Sequence, residues 1–193
     1  MNFLAHSYLS CSDEELLVGN FIADSTNNHL LATYPEGIKA GVVLHRKIDS
    51  YTDNHPIVKQ SSRRLYDKHS KYASVIVDVY YDYLLATAWE KYHETPLKDF
   101  SQEVYAVLTK YKEFLPENLK MSLPHMISND WLTGYSSLYG IEKSFSSLQK
   151  RASRPDLMEG VMESLEEDLP LLRDEFDQFF PEIREFVMCE CVG

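Results

Sequence analysis

Eight prolines, at positions 35, 56, 96, 116, 124, 155, 170 and 181, cut this 193-residue chain into segments. Between them, apolar residues recur at spacings of three and four, the period of a helix with one buried face. Proline lacks a main-chain donor and disfavours helix at the residue before it, so each proline marks a boundary or a kink. A chain divided in this way is expected to be all-α. Glycine supports that reading: there are only 7, and an all-β chain needs more turn residues. The length suits one domain with a sizeable core, so a single helical domain over 1–193 with eight or nine helices is expected. Its chemistry-bearing part is 1–92, and 93–193 is a C-terminal helical part.

Local signals place the helices. Ser12-Asp13-Glu14-Glu15 reads as a capping region, opening a helix that runs toward Asp24. A second is expected over Glu36 to about Thr52, stopping before Pro56, and a third over about Ile57 to His69. Tyr72 to Tyr92 is apolar on nearly every side, which predicts a buried central helix. Its β-branched run Val75-Ile76-Val77-Asp78-Val79 has strand character, but the pattern extends for about twenty residues, too long for a typical strand. Weaker helices are predicted near 98–114, 117–132 and 137–151. A last one is predicted over 156–190, open to breaks at Pro170 and Pro181.

The formal net charge of -11 argues against broad binding to nucleic acid, which needs a basic surface. Cys11, Cys189 and Cys191 do not form a disulfide framework, and Cys189-Glu190-Cys191 reads as a frayed end. No apolar stretch reaches the roughly 18 residues of a membrane span. Met1-Asn2-Phe3-Leu4-Ala5-His6 lacks the basic region and long apolar run of a signal peptide. A reducing, cytoplasmic setting is the simplest expectation.

Three groups of potential ligands stand out: His6 with Asp24; His45, Asp49 and Asp53; and Asp78 with Asp82. Residues four apart share a helix face, so His45 with Asp49, Asp49 with Asp53, and Asp78 with Asp82 form three such pairs. Two adjacent helices would point imidazole and carboxylates into one pocket. That donor set suits zinc, iron or manganese, and more carboxylate shifts it toward manganese or magnesium. An unpartnered buried carboxylate costs several kcal/mol, so Asp78 and Asp82 need a cation, an arginine or a proton. The plainer readings stay open: Asp49 pairing with Arg46 or Lys47, and Asp78 and Asp82 meeting Arg63 and Arg64. His29, His55, His69, His93 and His125 lack such company and read as structural or solvent-facing.

Taken together, the stretches Met1 to His6, Gly19-Asn20-Phe21-Ile22-Ala23-Asp24, Gly41 to Asp49 and Thr52-Asp53-Asn54-His55-Pro56 resemble the acyl carrier protein phosphodiesterases. The likeness continues through Asp78, Asp82 and Trp89, and more weakly to Arg151-Ala152-Ser153-Arg154-Pro155. The resemblance implies an HD-domain-like helical fold. It also implies dependence on manganese, with magnesium or iron as other divalent choices. The reaction it implies is hydrolysis of holo-acyl carrier protein to the apo form and 4′-phosphopantetheine, within fatty acid and lipid metabolism.

On this resemblance His6, Asp24, His45 and Asp78 are the expected metal ligands. Asp24, His45, Asp49, Asp82 and Arg46 are the expected catalytic residues. The carrier is acidic as a family property, so its docking face must be locally basic. Arg63, Arg64 and Lys68, with Lys47, are the expected contacts. One position departs from the resembled pattern, which has histidine after Asp82 where this chain has Tyr83. A phenol, with an ordinary pKa of about 10, is a poor metal ligand at neutral pH. Two alternatives therefore stand beside the carrier reading: an HD-like phosphohydrolase acting on a small nucleotide or other phosphodiester, and a catalytically impaired carrier-binding module.

Overall fold

The computed structural model describes residues 1–192, and no strand occurs among them. The helices are α1 (Phe3–Tyr8), α2 (Glu14–Ile22), α3 (Asn28–Thr33), α4 (Glu36–Asn54), α5 (Pro56–His69) and α6 (Ala73–Thr87). They are followed by α7 (Leu97–Lys110), α8 (Glu117–Ser128), α9 (Trp131–Gly134), α10 (Leu138–Gln149) and α11 (Val161–Val192). None is long and apolar enough to cross a membrane.

Three of the early helices begin where local chemistry says they should. The Asp13 carboxylate accepts from the Leu16 amide at 2.9 Å, capping α2, with Glu14 and Glu15 in the positive first turn. Pro35 precedes α4, and Pro56 occupies the first turn of α5, where its missing N–H costs nothing. Helix α6 is shorter than the apolar run: it ends at Thr87, and Trp89–Lys91 forms a 3-10 turn. There the Trp89 indole donates to the Thr95 carbonyl at 2.8 Å and packs on Phe100, which fixes the chain in a corner.

The last helix is long, as expected, and takes neither of the breaks left open. Pro170 and Pro181 lie inside α11, which continues through both. An interior proline costs about 3 kcal/mol in helix propensity. Leu165, Leu172, Phe176, Phe179, Phe180, Ile183 and Val187 are each buried along one stripe of α11, packed toward α4, α5 and α6. Burying each large apolar side chain contributes roughly 1.5–3 kcal/mol, so packing outweighs the two prolines. Nor does the end fray. Cys191 is disulfide-bonded to Cys11, with the two Cα atoms 5.9 Å apart, and Glu190 pairs with Lys47. Cys189 is exposed and free.

The closest helix pair is α2 against α4, and Gly19 and Gly41 explain it. A Cβ built on Gly19 would lie 2.0 Å from the Ile38 carbonyl oxygen and 2.8 Å from the Gly41 Cα. A Cβ on Gly41 would lie 2.4 Å from the Leu16 carbonyl oxygen. Backbone touches backbone here, and no larger residue fits. This crossing sets Asn20, in the last turn of α2, and Asp24, in the 3-10 turn that follows it, against His45 on α4.

Candidate active site

Asn20 is the organising residue, although it sits inside the apolar run Leu16 to Ile22 and is fully buried. Its amide nitrogen donates to the His6 carbonyl at 2.8 Å and to Ser10 Oγ at 3.1 Å, which turns its carbonyl oxygen toward two imidazoles. That oxygen lies 2.7 Å from His6 Nδ1 and 3.2 Å from His45 Nδ1, and the Asn20 backbone oxygen lies 2.8 Å from His45 Nδ1. A carbonyl oxygen only accepts, so both Nδ1 atoms carry protons. In the neutral rings the lone pairs therefore reside on the two Nε2 atoms.

The rings stack with centroids 4.0 Å apart, and both Nε2 atoms face Asp49. His6 Nε2 is 3.1 Å from Asp49 Oδ1, and His45 Nε2 is 3.0 Å from Asp49 Oδ2. His45 Nε2 also lies 3.2 Å from Asp24 Oδ1. His6 Nε2 is buried and has no hydrogen-bond partner despite its nearness to Asp49. Lone pairs and carboxylates aimed at one point repel unless a proton or a cation stands between them. Donor atoms of His6, His45 and Asp49 all lie within 4.8 Å of one another, and the two Nε2–Asp49 separations, 3.1 and 3.0 Å, fall inside the roughly 4.2 Å span of two metal bonds of about 2.1 Å. Two imidazoles and a carboxylate, with an orphaned buried nitrogen among them, fit a divalent ion. The Nδ1–H bonds to Asn20 are the outer hydrogen bonds that orient histidine ligands.

In metal-free protein a proton on His45 Nε2 takes the place of the cation. Burial lowers the His45 pKa, but hydrogen bonds to Asp24 and Asp49 outweigh it and raise the ring to about 9. For Asp49, burial acts upward, and its contacts with His45 and His6 hold it well below the usual carboxylate range. Asp24 is lowered chiefly by its hydrogen bond to His45. His6 is lowered chiefly by burial.

The other expected residues are placed differently. Asp24 stands at the rim, its side chain 83% exposed. Asp78 Oδ1 accepts from the α-ammonium of Met1 at 2.8 Å, and that ammonium is 4.0 Å from Asp49. Neither Arg63 nor Arg64 meets Asp78. Asp82 is fully buried and accepts from the amides of Leu4 at 2.8 Å and Ala5 at 3.2 Å, at the start of α1. Burial raises its pKa to about 7 against these bonds. Asp82 thus anchors the helix that carries His6 rather than lining the His6–His45–Asp49 cluster. Tyr83 is half-buried and packs against the core. Arg46 is exposed on α4 beside His45. Asn20, absent from the expected set, had one sequence signal: an amide in an otherwise apolar helix face.

Of the four expected carrier contacts, two are engaged within the chain. Lys47 pairs with Glu190. Arg64 makes a two-pronged pair with Glu175, at 2.9 and 2.5 Å, and Glu175 also accepts from Ser61. Arg63 and Lys68 are exposed. Replacing Arg64 by alanine strands the buried Glu175 carboxylate, and a loss of about 3 kcal/mol in unfolding free energy is expected. A urea midpoint within error of wild type, at unchanged slope, would show that Arg64 is dispensable to the fold.

Comparison with known proteins gives the site its context. The family model described as acyl carrier protein phosphodiesterase matches residues 1–183. A protein named acyl carrier protein phosphodiesterase from Serratia proteamaculans is 26% identical over 186 residues, covering 96% of each chain. One of the same name from Yersinia pestis is 28% identical over 182 residues, covering 94% of each. Another from Escherichia coli O45:K1 is 29% identical over 189 residues, covering 96% of each. No solved structure matches, so the expected kinship to HD-domain proteins has no structural neighbour behind it. With a match running from the first residue through most of α11, this chain belongs to the acyl carrier protein phosphodiesterase family.

Proposed function

We propose that this chain is a metal-dependent hydrolase that cleaves 4′-phosphopantetheine from holo-acyl carrier protein, leaving the carrier's serine hydroxyl. One observation carries the reading: Asn20 takes both Nδ1 protons and turns two Nε2 lone pairs onto Asp49. Family membership supplies the substrate. His6, His45 and Asp49 would hold the ion, manganese before magnesium or iron, with Asp24 at the rim as a further ligand. When bound there, a divalent ion polarises the phosphoryl group and lowers the pKa of water.

The residues divide the remaining work. Asn20 fixes the orientation of both imidazoles. Asp82 fixes the first turn of α1 and hence the place of His6, so it is a positioning residue. Asp78 neutralises the Met1 ammonium that would otherwise repel a cation. Asp24, ionised and largely exposed at the rim, can accept the proton of an attacking water through the carboxylate oxygen left unbound. Arg46 is exposed one residue from His45, and a fixed planar cation there suits developing charge on phosphoryl oxygens. Tyr83, in the position of the family's histidine, keeps a hydroxyl that can donate but not ligate.

The test is intact-mass analysis of holo-carrier incubated with the protein and Mn²⁺. Loss of one phosphopantetheine from the carrier is expected. A carrier that stays holo, while a small phosphodiester is cleaved, would move the reading to a small-molecule phosphohydrolase. A carrier that stays bound and intact would make the protein a binding module.

A further inference from the structure

Helices α8, α9 and α10 enclose a cavity of about 400 Å³, within the range of ligand sites. Its wall includes Asn2 and Phe3 of the N-terminal turn. Met1 precedes them, its ammonium on Asp78 and 4.0 Å from Asp49. His6 follows Phe3 by one helical turn on α1. The N-terminal turn therefore adjoins both the cavity and the candidate active site.

The charge of the wall is unlike that of the chain. Asp and Glu outnumber Lys and Arg 30 to 19 overall, yet no carboxylate lines the cavity. Lys143, Lys150 and Arg151 do, and all three are exposed. Lys143 lies over the Tyr139 ring at 4.4 Å, and Arg151 donates to the Ser147 carbonyl at 3.2 Å. Among the described residues none of these cations has a carboxylate partner. The expected docking cations Arg64 and Lys47, by contrast, are engaged with Glu175 and Glu190. Aromatic surface is also offered: Trp131 is 39% exposed and Tyr139 66% exposed. Serine hydroxyls of α10 and the Asn129 amide stand among these apolar groups.

We propose that this cavity seats the pantetheine arm of the carrier substrate, with Lys143, Lys150 and Arg151 meeting the carrier's acidic surface at its mouth. The inference rests on the functional reading above and names a second part of the same substrate. The arm is aliphatic and amide-rich, matching an aromatic wall set with hydroxyls. It hangs from a phosphate on an acidic protein, matching a carboxylate-free rim of cations. An arm whose phosphate lies at His6 and Asp49 reaches the cavity by passing Asn2 and Phe3.

Gly134 provides the test, because a Cβ built there meets nothing within 4 Å. Gly134 lines the cavity, so leucine and phenylalanine at this position add bulk at its wall without a backbone clash. The KM for holo-carrier is expected to rise with side-chain size, by about tenfold in Gly134→Phe, the loss that follows from uncovering two methyl groups. Unphosphorylated pantetheine should alter the fluorescence of wild type saturably through Trp131, since Trp89 is buried at 3% exposure. It should do so far less in Gly134→Phe. The exposed pair Lys143→Glu with Lys150→Glu, which does not burden the core, should raise KM and remove its dependence on salt. Unchanged KM in both variants, or a fluorescence response that inorganic phosphate reproduces, would overturn the proposal. If wild type releases no phosphopantetheine, the functional reading fails while the pantetheine titration still decides the cavity. If wild type is active and the variants match it, only the cavity assignment fails.

Discussion

Asp49→Ala protein is expected to emerge from purification without bound manganese, and its kcat/KM for holo-carrier should fall by at least about 100-fold. The floor comes from the outer hydrogen-bond partners of metal ligands, whose loss alone costs 10–100-fold. Asp49 is closer in than that, with one oxygen 3.1 Å from His6 Nε2 and the other 3.0 Å from His45 Nε2. Elemental analysis and the intact-mass assay read the two effects independently, and full activity without metal would end the proposal.

The same variant has a signature in metal-free protein. His45 has a folded pKa of about 9 against an ordinary 6.5. A raised cationic pKa means the folded state holds the proton more tightly. Its contribution to stability is complete below about 6.5 and is lost as pH rises through 9. Urea midpoints of metal-free wild type should therefore decline across that window. Asp49→Ala should flatten the decline, with Asp24 sustaining the remainder.

Gly19→Ala is expected to destabilise the protein by about 3 kcal/mol, at the upper end of overpacking costs. The added methyl would lie 2.0 Å from the Ile38 carbonyl oxygen and 2.8 Å from the Gly41 Cα and the Val42 nitrogen. All three are backbone atoms, so no rotamer change relieves the clash and α2 must part from α4. Asn20 is the next residue, and it holds both imidazoles. Activity per folded molecule should therefore fall as well. A wild-type urea midpoint with wild-type activity would show that the two helices do not need this contact.

This pair of glycines shows where sequence reading reached and where it stopped. Gly19 and Gly41 stood in the motifs that carry the family likeness, but only the α2–α4 crossing explains them. Helices α2, α4 and α5 were legible because their signals are local: the Asp13 cap, Pro35, Pro56 and apolar periodicity between them. Helix α1 was not: it is six residues long, and although the adjacent Asn2 caps the Phe3 amide, the Leu4 and Ala5 amides are accepted by Asp82, 78 and 77 residues away. A reading of neighbours cannot see that cap. Helix α11 was legible as one long helix, but whether Pro170 and Pro181 break it was open for a related reason, since propensity is local and the packing that overrides it is not.

The sequence by itself determined an all-helical chain, and it offered His6, Asp24, His45 and Asp78 as metal ligands with Asp49 in a catalytic role. Apolar period, proline and capping chemistry act within one or two turns, so these features are written along the chain. The tertiary structure decided how the carboxylates were used. Asp49 joined the histidines, Asp78 took the Met1 ammonium, Asp82 capped α1, and Arg64 was drawn to Glu175. Buried charges must find partners at contact distance, and which partners arrive is settled by helix packing rather than by spacing in the sequence.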